Sequence, residues 1–289
     1  MNMLEKAFEK SKTLEKNKST ITEPEKTQNN DLSITETVEP KKAKLKNHQD
    51  IVKFDWDFLK SNGFIMVDDS HSRIAEEYRA IKRPLVTNAI GSRKSDIKNS
   101  NLILITSSVP GEGKTFTSIN LAFSIAAEMD KKVLLIDADV AKPSIAKVLG
   151  IESKVGLIDF LETDTLQLSD IILQTEIPGL RIITAGKSHK FSTELLASDK
   201  MIALSKELSE RYSDRIVIFD TPPLLATTQA EVLASQMGQV ILVVAAEKTP
   251  QSYVLESTKK LQNCSDIVLG VLNKAQRTLN ASYYGYGHY

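Results

Sequence analysis

The chain has 289 residues, 41% of them hydrophobic and 26% charged, the make-up of an ordinary globular protein with room for one large or two small domains. Its 37 basic and 37 acidic residues cancel to a formal charge of +0 at pH 7, so no global field favours nucleic acid, and none is expected as a partner. A single cysteine, Cys264, excludes an intrachain disulfide and any cysteine-ligated cluster confined to one subunit, and fits a cytoplasmic setting. No apolar run approaches the roughly 18 residues needed to cross a bilayer, and the first turns, rich in Glu and Lys, lack a signal-peptide core. Any membrane connection is therefore expected to run through a partner.

Residues 3–16 place Leu4, Ala7, Phe8, Ser11 and Leu14 at helical spacing. Residues 1–16 are accordingly expected to form an amphipathic helix that docks on its own domain or on another protein. Residues 17–50 are polar and hold Pro24 and Pro40. They carry too few large apolar groups to offset the entropy of ordering, so a tether is expected, with Lys41, Lys42, Lys44 and Lys46 as solvated charge. Order is expected to resume near Ile51, where Phe54, Trp56, Phe58 and Leu59 would anchor the chain to a main domain over 51–280. The spacing predicts a helix over 70–88. On it Glu76, Arg79 and Lys82 are three apart and share a face, which by itself implies only surface ion pairs worth a few tenths of a kcal/mol, about 0.2–0.5 each.

From residue 102 onward, short runs rich in Ile, Val and Leu alternate with helical stretches. The runs cover 102–105, 133–136, 180–183, 215–219, 240–245 and 267–272; the helices are predicted over 115–129, 198–212, 228–235 and 251–262. Runs that mostly lack alternation suit strands buried on both faces. The expected fold is α/β, a doubly wound, mostly parallel sheet with ligands at the carboxyl ends of its strands.

The first run leads into Thr106-Ser107-Ser108-Val109-Pro110-Gly111-Glu112-Gly113-Lys114-Thr115, with Phe116 and an alanine-rich helix following. Strand, glycine loop, Lys-Thr and helix are the parts of a phosphate-binding loop. Glycines let backbone N–H groups close around an anion, and the helix start adds its positive dipole end. Lys114 would reach the outer phosphates and the Thr115 hydroxyl would bind Mg²⁺. Residues 110–116 thus form the expected nucleotide cradle, in a relaxed form of the motif because Ser108 stands where the strict pattern has Gly.

Two later runs end in acids: Asp137 and Asp139 after the second strand, and Asp220 before Thr221-Pro222-Pro223. In a parallel sheet these project beside the glycine loop, where they would repel a triphosphate unless a divalent cation lay between. Asp139 and Asp220 are expected to hold metal-bound water, and Asp137 to accept the proton of an attacking nucleophile. Asn273, just past the last run, would hydrogen-bond the purine edge. Residues 281–289 read Ala-Ser-Tyr-Tyr-Gly-Tyr-Gly-His-Tyr, too short and too Gly-rich for a packed element, and are expected to be mobile.

Taken together, residues 107–115, the second Walker-A-like motif at 133–139, the Walker-B-like 216–220 and the terminal tyrosines resemble the bacterial tyrosine autokinases of exopolysaccharide and capsule biosynthesis. The likeness covers about residues 70–289. The opening Leu4-Glu5-Lys6-Ala7-Phe8-Glu9-Lys10 is similar to that of the exosortase-associated subgroup. The resemblance implies a P-loop NTPase fold of the MinD/ParA-like (SIMIBI) class and an ATP- and Mg²⁺-dependent kinase. It assigns Lys114 and Thr115 to phosphate and magnesium, Asp137 and Asp139 to the second acidic motif, and Asp220 to Walker B. Tyr283, Tyr284, Tyr286 and Tyr289 would be the phosphate acceptors, phosphorylated in trans between subunits. Glu76, Arg79 and Lys82 fall where the family has a Glu-x-x-Arg-x-x-Arg contact that builds a homo-oligomeric ring. Lys82 replaces the second Arg and forfeits a bidentate contact; Ala141 stands where many relatives have Arg, with Lys142 beside it. Implied partners are the cytoplasmic segment of a membrane polysaccharide co-polymerase and a tyrosine phosphatase, with the protein peripheral at the inner membrane. The rival readings are a ParA- or MinD-like ATPase switch and a non-catalytic nucleotide-binding regulator of a co-polymerase. The first wants a signature lysine where Val109 stands, and the second does not need the full set of Lys114, Thr115, Asp137, Asp139 and Asp220.

Overall fold

The apolar run at residue 102 becomes β1 (Leu102–Ser107), a central strand of a seven-stranded sheet. The computed structural model describes residues 51–67, 72–91, 96–152 and 155–276. The expected helix over 1–16, the tether over 17–50 and the tyrosine tail over 281–289 lie outside the described residues.

The other strands are β2 (Val133–Asp137), β3 (Leu173–Gln174), β4 (Leu180–Ile183), β5 (Ile216–Asp220), β6 (Gln239–Ala245) and β7 (Val268–Asn273). Their spatial order is β3-β4-β2-β5-β1-β6-β7, parallel throughout except for β3, which runs antiparallel to β4. Each predicted strand is present, and the mostly parallel α/β sheet is the fold expected. The edge strand β3 was not foreseen: two residues carry no periodicity, and only their partners Ile182 and Arg181 make them a strand.

Successive side chains of β1 point to opposite faces. Ile103 and Ile105 enter one core with α1 (Trp56–Ser61), α2 (Arg73–Ile90) and α3 (Lys114–Ala126). Leu102 and Leu104 enter the other with α5 (Leu157–Glu162), α8 (Asp199–Glu210) and α9 (Gln229–Ala234), α4 (Ile145–Val148) having been passed on the first face. Also present are α6 (Leu168–Ile171), α7 (Ser192–Leu196) and α10 (Gln251–Gln262). The very short α4, α6 and α7 offer too few residues to show a helical period in the sequence.

Phe54 and Trp56 pack tilted on the buried Phe123 of α3 at ring distances of 5.8 and 5.7 Å, and Leu59 is buried, so these three anchor the segment near Ile51 as expected, whereas Phe58 is exposed and does not. The helix α2 starts at Ser72, whose hydroxyl accepts the Ala75 N–H, and it runs on through Pro84. Proline inside a helix removes one backbone donor. Packing of Ala75, Tyr78, Leu85 and Ala89 against the first core compensates for that loss. Asn88 donates to Gln239 Oε1 at 2.9 Å, and Gln239 in turn donates to the Ser100 carbonyl at 2.7 Å, pinning α2 to the start of β6.

Candidate active site

Between β1 and α3 the backbone turns through Gly111 at φ 84° and Gly113 at φ 101°, the left-handed region that favours glycine. At Gly113 space is limiting as well: a Cβ there would lie 2.0 Å from Asn273 Nδ2. No side chain caps α3, so the first N–H groups of this 13-residue helix remain available to an anion, as a phosphate loop requires.

The expected acids gather around this loop. Lys114 Nζ lies 2.5 Å from Asp139 Oδ2, with the two side chains 12% and 4% exposed. Thr115 Oγ1 donates to Asp220 Oδ2 at 2.7 Å, and Ser118 Oγ donates to Asp220 Oδ1 at 3.0 Å. Asp137 and Asp220 are paired across neighbouring strands. Burial, reinforced by Asp220, pushes the Asp137 carboxyl up to about 7, against the N–H groups of Ile145 and Ser144. Burial likewise lifts Asp220 to about 6, against Lys114, Thr115 and Ser118. For Lys114, burial works against the charge, but Asp220, Asp139 and Asp137 outweigh it and hold its pKa above the usual value. The site is thus a pocket of acids compensated by one buried cation.

Among the described residues no group of three or more His, Cys, Asp and Glu side chains could hold a metal unaided. Magnesium beside phosphates does not need one. It keeps several waters and takes one or two carboxylates with substrate phosphate oxygens. The hard oxygens of Thr115 and Asp220, already in contact with each other, fit that demand, and Asp139 is paired with Lys114.

Asp137 differs from expectation in its surroundings. It is fully buried, and its oxygens accept the backbone N–H groups of Asp139 at 3.2 Å, Ser144 at 3.1 Å and Ile145 at 3.0 Å. In this state it organises the 138–145 loop rather than opening onto a nucleophile. Asn273 donates to the Glu112 carbonyl at 2.8 Å, spending on the loop part of the capacity expected for a purine. Phe116 packs its ring on Phe64 at 4.9 Å, and Pro110 is exposed at the loop tip.

The helix face carrying Glu76, Arg79 and Lys82 divides. Glu76 and Arg79 pair with each other near the surface. Lys82 is only 8% exposed and turns inward, donating to the Ser124 carbonyl at 2.7 Å and pairing with Glu128 at 2.7 Å. A lysine stem is long enough to cross to α3, so the expectation that all three residues project to a neighbour is corrected for Lys82.

Several site residues were missed. Ser144 shares a hydrogen bond with Thr115 at 2.9 Å. Ser108 is buried, with its hydroxyl 2.9 Å from that of Ser257 on α10. This explains why the first loop position holds serine. Lys274 donates to the Gly111 carbonyl at 2.6 Å. Signals for the last two were absent from the sequence, because their partners lie about 150 positions or more away.

A family model described as an AAA domain matches residues 100–276. The tyrosine-protein kinase YwqD of Bacillus subtilis is 31% identical over 222 residues, covering 77% of this chain and 90% of that protein. The chain belongs to the bacterial tyrosine-protein kinase family. Another member, the putative tyrosine-protein kinase CapB of Staphylococcus aureus, is 33% identical over 220 residues, 76% of this chain and 92% of its own length. Against the putative tyrosine-protein kinase EpsB of Ralstonia nicotianae the identity is 35%, but the match spans only 24% of that longer kinase and 65% of this chain. Among solved structures, the kinase domain of the Escherichia coli tyrosine kinase ETK aligns with a TM-score of 0.66 and 30% identity, over 78% of this chain and 85% of that one. The fold of this kinase family is therefore the one the strand order here displays.

Proposed function

We propose that this chain is an ATP-dependent protein-tyrosine autokinase that phosphorylates Tyr283, Tyr284, Tyr286 and Tyr289 in its own terminal segment, in trans between subunits. The observation that carries the reading is the Lys114–Asp139 pair beside the Thr115–Asp220 contact, in a chain that belongs to a tyrosine-kinase family and ends in a tyrosine cluster.

Each side chain then has a task. Lys114 exchanges its carboxylate partner for the outer phosphates and follows the charge that develops during transfer. Thr115 and Asp220 would hold Mg²⁺, with Asp139 beside them, and the ion would supply positive charge against the phosphate oxygens. Asp137 keeps the loop after β2 in place through its three backbone contacts. Its raised pKa suits proton acceptance, should that loop open when a nucleotide binds. A tyrosine hydroxyl has a pKa near 10, so only about one in a thousand is ionised at pH 7, and a loose transition state lets the proton leave late.

The wider assignment is the regulation of exopolysaccharide polymerisation and export by an exosortase-associated kinase. It would be held at the inner membrane by the cytoplasmic segment of a co-polymerase and reversed by a tyrosine phosphatase. Glu76 and Arg79 remain the candidate ring contacts. Arg79 borders a cavity of about 400 Å³ between α2 and α3, lined also by Arg83 and Val86.

The test is phosphotyrosine mapping by mass spectrometry after incubation with Mg-ATP, beside Lys114→Met and a chain ending at Ser282. Phosphate on the four tyrosines that depends on Lys114 supports the assignment. Wild-type tyrosines left bare, with the co-polymerase segment added, would remove it.

A further inference from the structure

Glu112 stands inside the glycine loop, where a carboxylate facing a triphosphate would repel it. The structure turns it the other way. Its side chain is 2% exposed and points from the loop towards the end of β6. Oε2 accepts the Val109 N–H at 2.7 Å, across the loop's own turn. Oε1 accepts the Ala245 N–H at 3.3 Å and the hydroxyl of Thr249, which is also in close contact with it. Thr249 in turn accepts from Ala245 at 3.2 Å, closing the cluster. The backbone carbonyl of Glu112 is held from a third side by Asn273 at 2.8 Å.

We infer that Glu112 is a positioning residue for nucleotide binding. Its carboxylate latches the phosphate loop to the 245–249 turn and so holds the loop's N–H groups in a binding shape before the nucleotide arrives. The inference rests on the nucleotide-binding part of the proposed function and not on the identity of the phosphate acceptor.

The chemistry follows from the partners. Three donors converge on one buried carboxylate: two backbone N–H groups and a hydroxyl. A loop tied at both Val109 and the β6 end loses little freedom when an anion enters, so less of the phosphate interaction goes into ordering it. Without the carboxylate, the Val109 N–H loses its acceptor and the Ala245 N–H keeps only Thr249, and the loop gains conformations that do not bind. The turn that receives the latch leads directly into α10, whose Ser257 and Tyr253 carbonyl also hold Ser108. Loop and helix are thus joined at both ends of the glycine motif.

The opposite arrangement makes the opposite prediction. If the Glu112 carboxylate faced the phosphates, removing its charge would tighten binding. The latch predicts that removal weakens it.

The experiment is calorimetric titration of the full chain with Mg-ADP and with a non-hydrolysable ATP analogue. Glu112→Ala should raise Kd about ten-fold or more. Glu112→Gln, which keeps an acceptor for Val109, should recover part of that loss. Thr249→Val should also weaken binding, and the double variant Glu112→Ala with Thr249→Val should bind no worse than Glu112→Ala alone, since both cut one latch. Tighter or unchanged binding in Glu112→Ala, or losses that multiply in the double variant, would overturn the inference. Should Glu112→Ala fail to fold, Thr249→Val decides alone: unchanged affinity there contradicts the latch. Because the readout is affinity, it stands even if no tyrosine were ever phosphorylated.

Discussion

Lys114 and Asp139, 25 positions apart in the sequence, meet as an ion pair of 2.5 Å in a nearly dry site, with Asp220 and Asp137 close behind. One cation thus balances a site built with a surplus of negative charge. A charge partner removed from such a place leaves buried carboxylates uncompensated. Lys114→Met should therefore lower the stability of the nucleotide-free protein by about 3 kcal/mol, as well as slow phosphoryl transfer about 100-fold or more. Denaturant melts and initial rates check the two parts separately.

The same surplus sets a pH dependence. Asp137 and Asp220 have folded pKa values raised above the usual carboxylate range, by burial first and by neighbouring acids. The folded chain then holds protons that the unfolded chain has released. The resulting stability is present at low pH and drains away as pH rises through about 6 to 7. In metal-free buffer the melting temperature should fall between about pH 5 and 7 and level off above that, with a slope of at most about 1.4 kcal/mol per pH unit per group. Asp220→Asn should flatten that slope and raise the melting temperature of the empty protein while abolishing transfer. A melting temperature that instead rises over this window would contradict the assignment.

Lys82 supports its own chain through Ser124 and Glu128. Lys82→Ala should destabilise the isolated protein by about 1–3 kcal/mol, because the Ser124 carbonyl and Glu128 lose a charged donor. A role confined to subunit contact would leave the thermal melt of the monomer untouched and alter only sedimentation. Arg79→Ala should show the reverse pattern, with little change in the melt and a weaker assembly, since its pair with Glu76 is near the surface.

Gly113 combines a φ of 101° with the close approach of Asn273. Gly113→Ala should both strain the backbone and push Asn273 off the Glu112 carbonyl. Nucleotide affinity is expected to drop at least ten-fold, an effect of about 1.4 kcal/mol or more, while the sheet remains folded by circular dichroism.

The sheet was legible because its central strands are buried on both faces and leave dense apolar runs, two of which, β2 and β5, end at the functional acids Asp137 and Asp220. Asp137, Asp139, Asp220 and Lys114 could be placed beside one another from parallel topology alone. What stayed hidden depends on long-range partners. Nothing near Glu112 announces Thr249, nothing near Ser108 announces Ser257, and nothing in the helical spacing of Lys82 says that its stem reaches Ser124. Asp137 was read as an open acceptor because sequence order shows where a strand ends and not which N–H groups the following loop brings back to it. Likewise β3 is a strand only by virtue of β4.

In the proposed reaction the terminal phosphate held by this loop passes to tyrosine. A single-turnover experiment with γ-labelled ATP, enzyme in excess and the activating segment present, follows the label as it divides between protein and solution. Label should reach Tyr283, Tyr284, Tyr286 and Tyr289 at least as fast as any free phosphate appears, and none should do so in Lys114→Met. Label that appears only as inorganic phosphate, with every tyrosine unmodified, would contradict it.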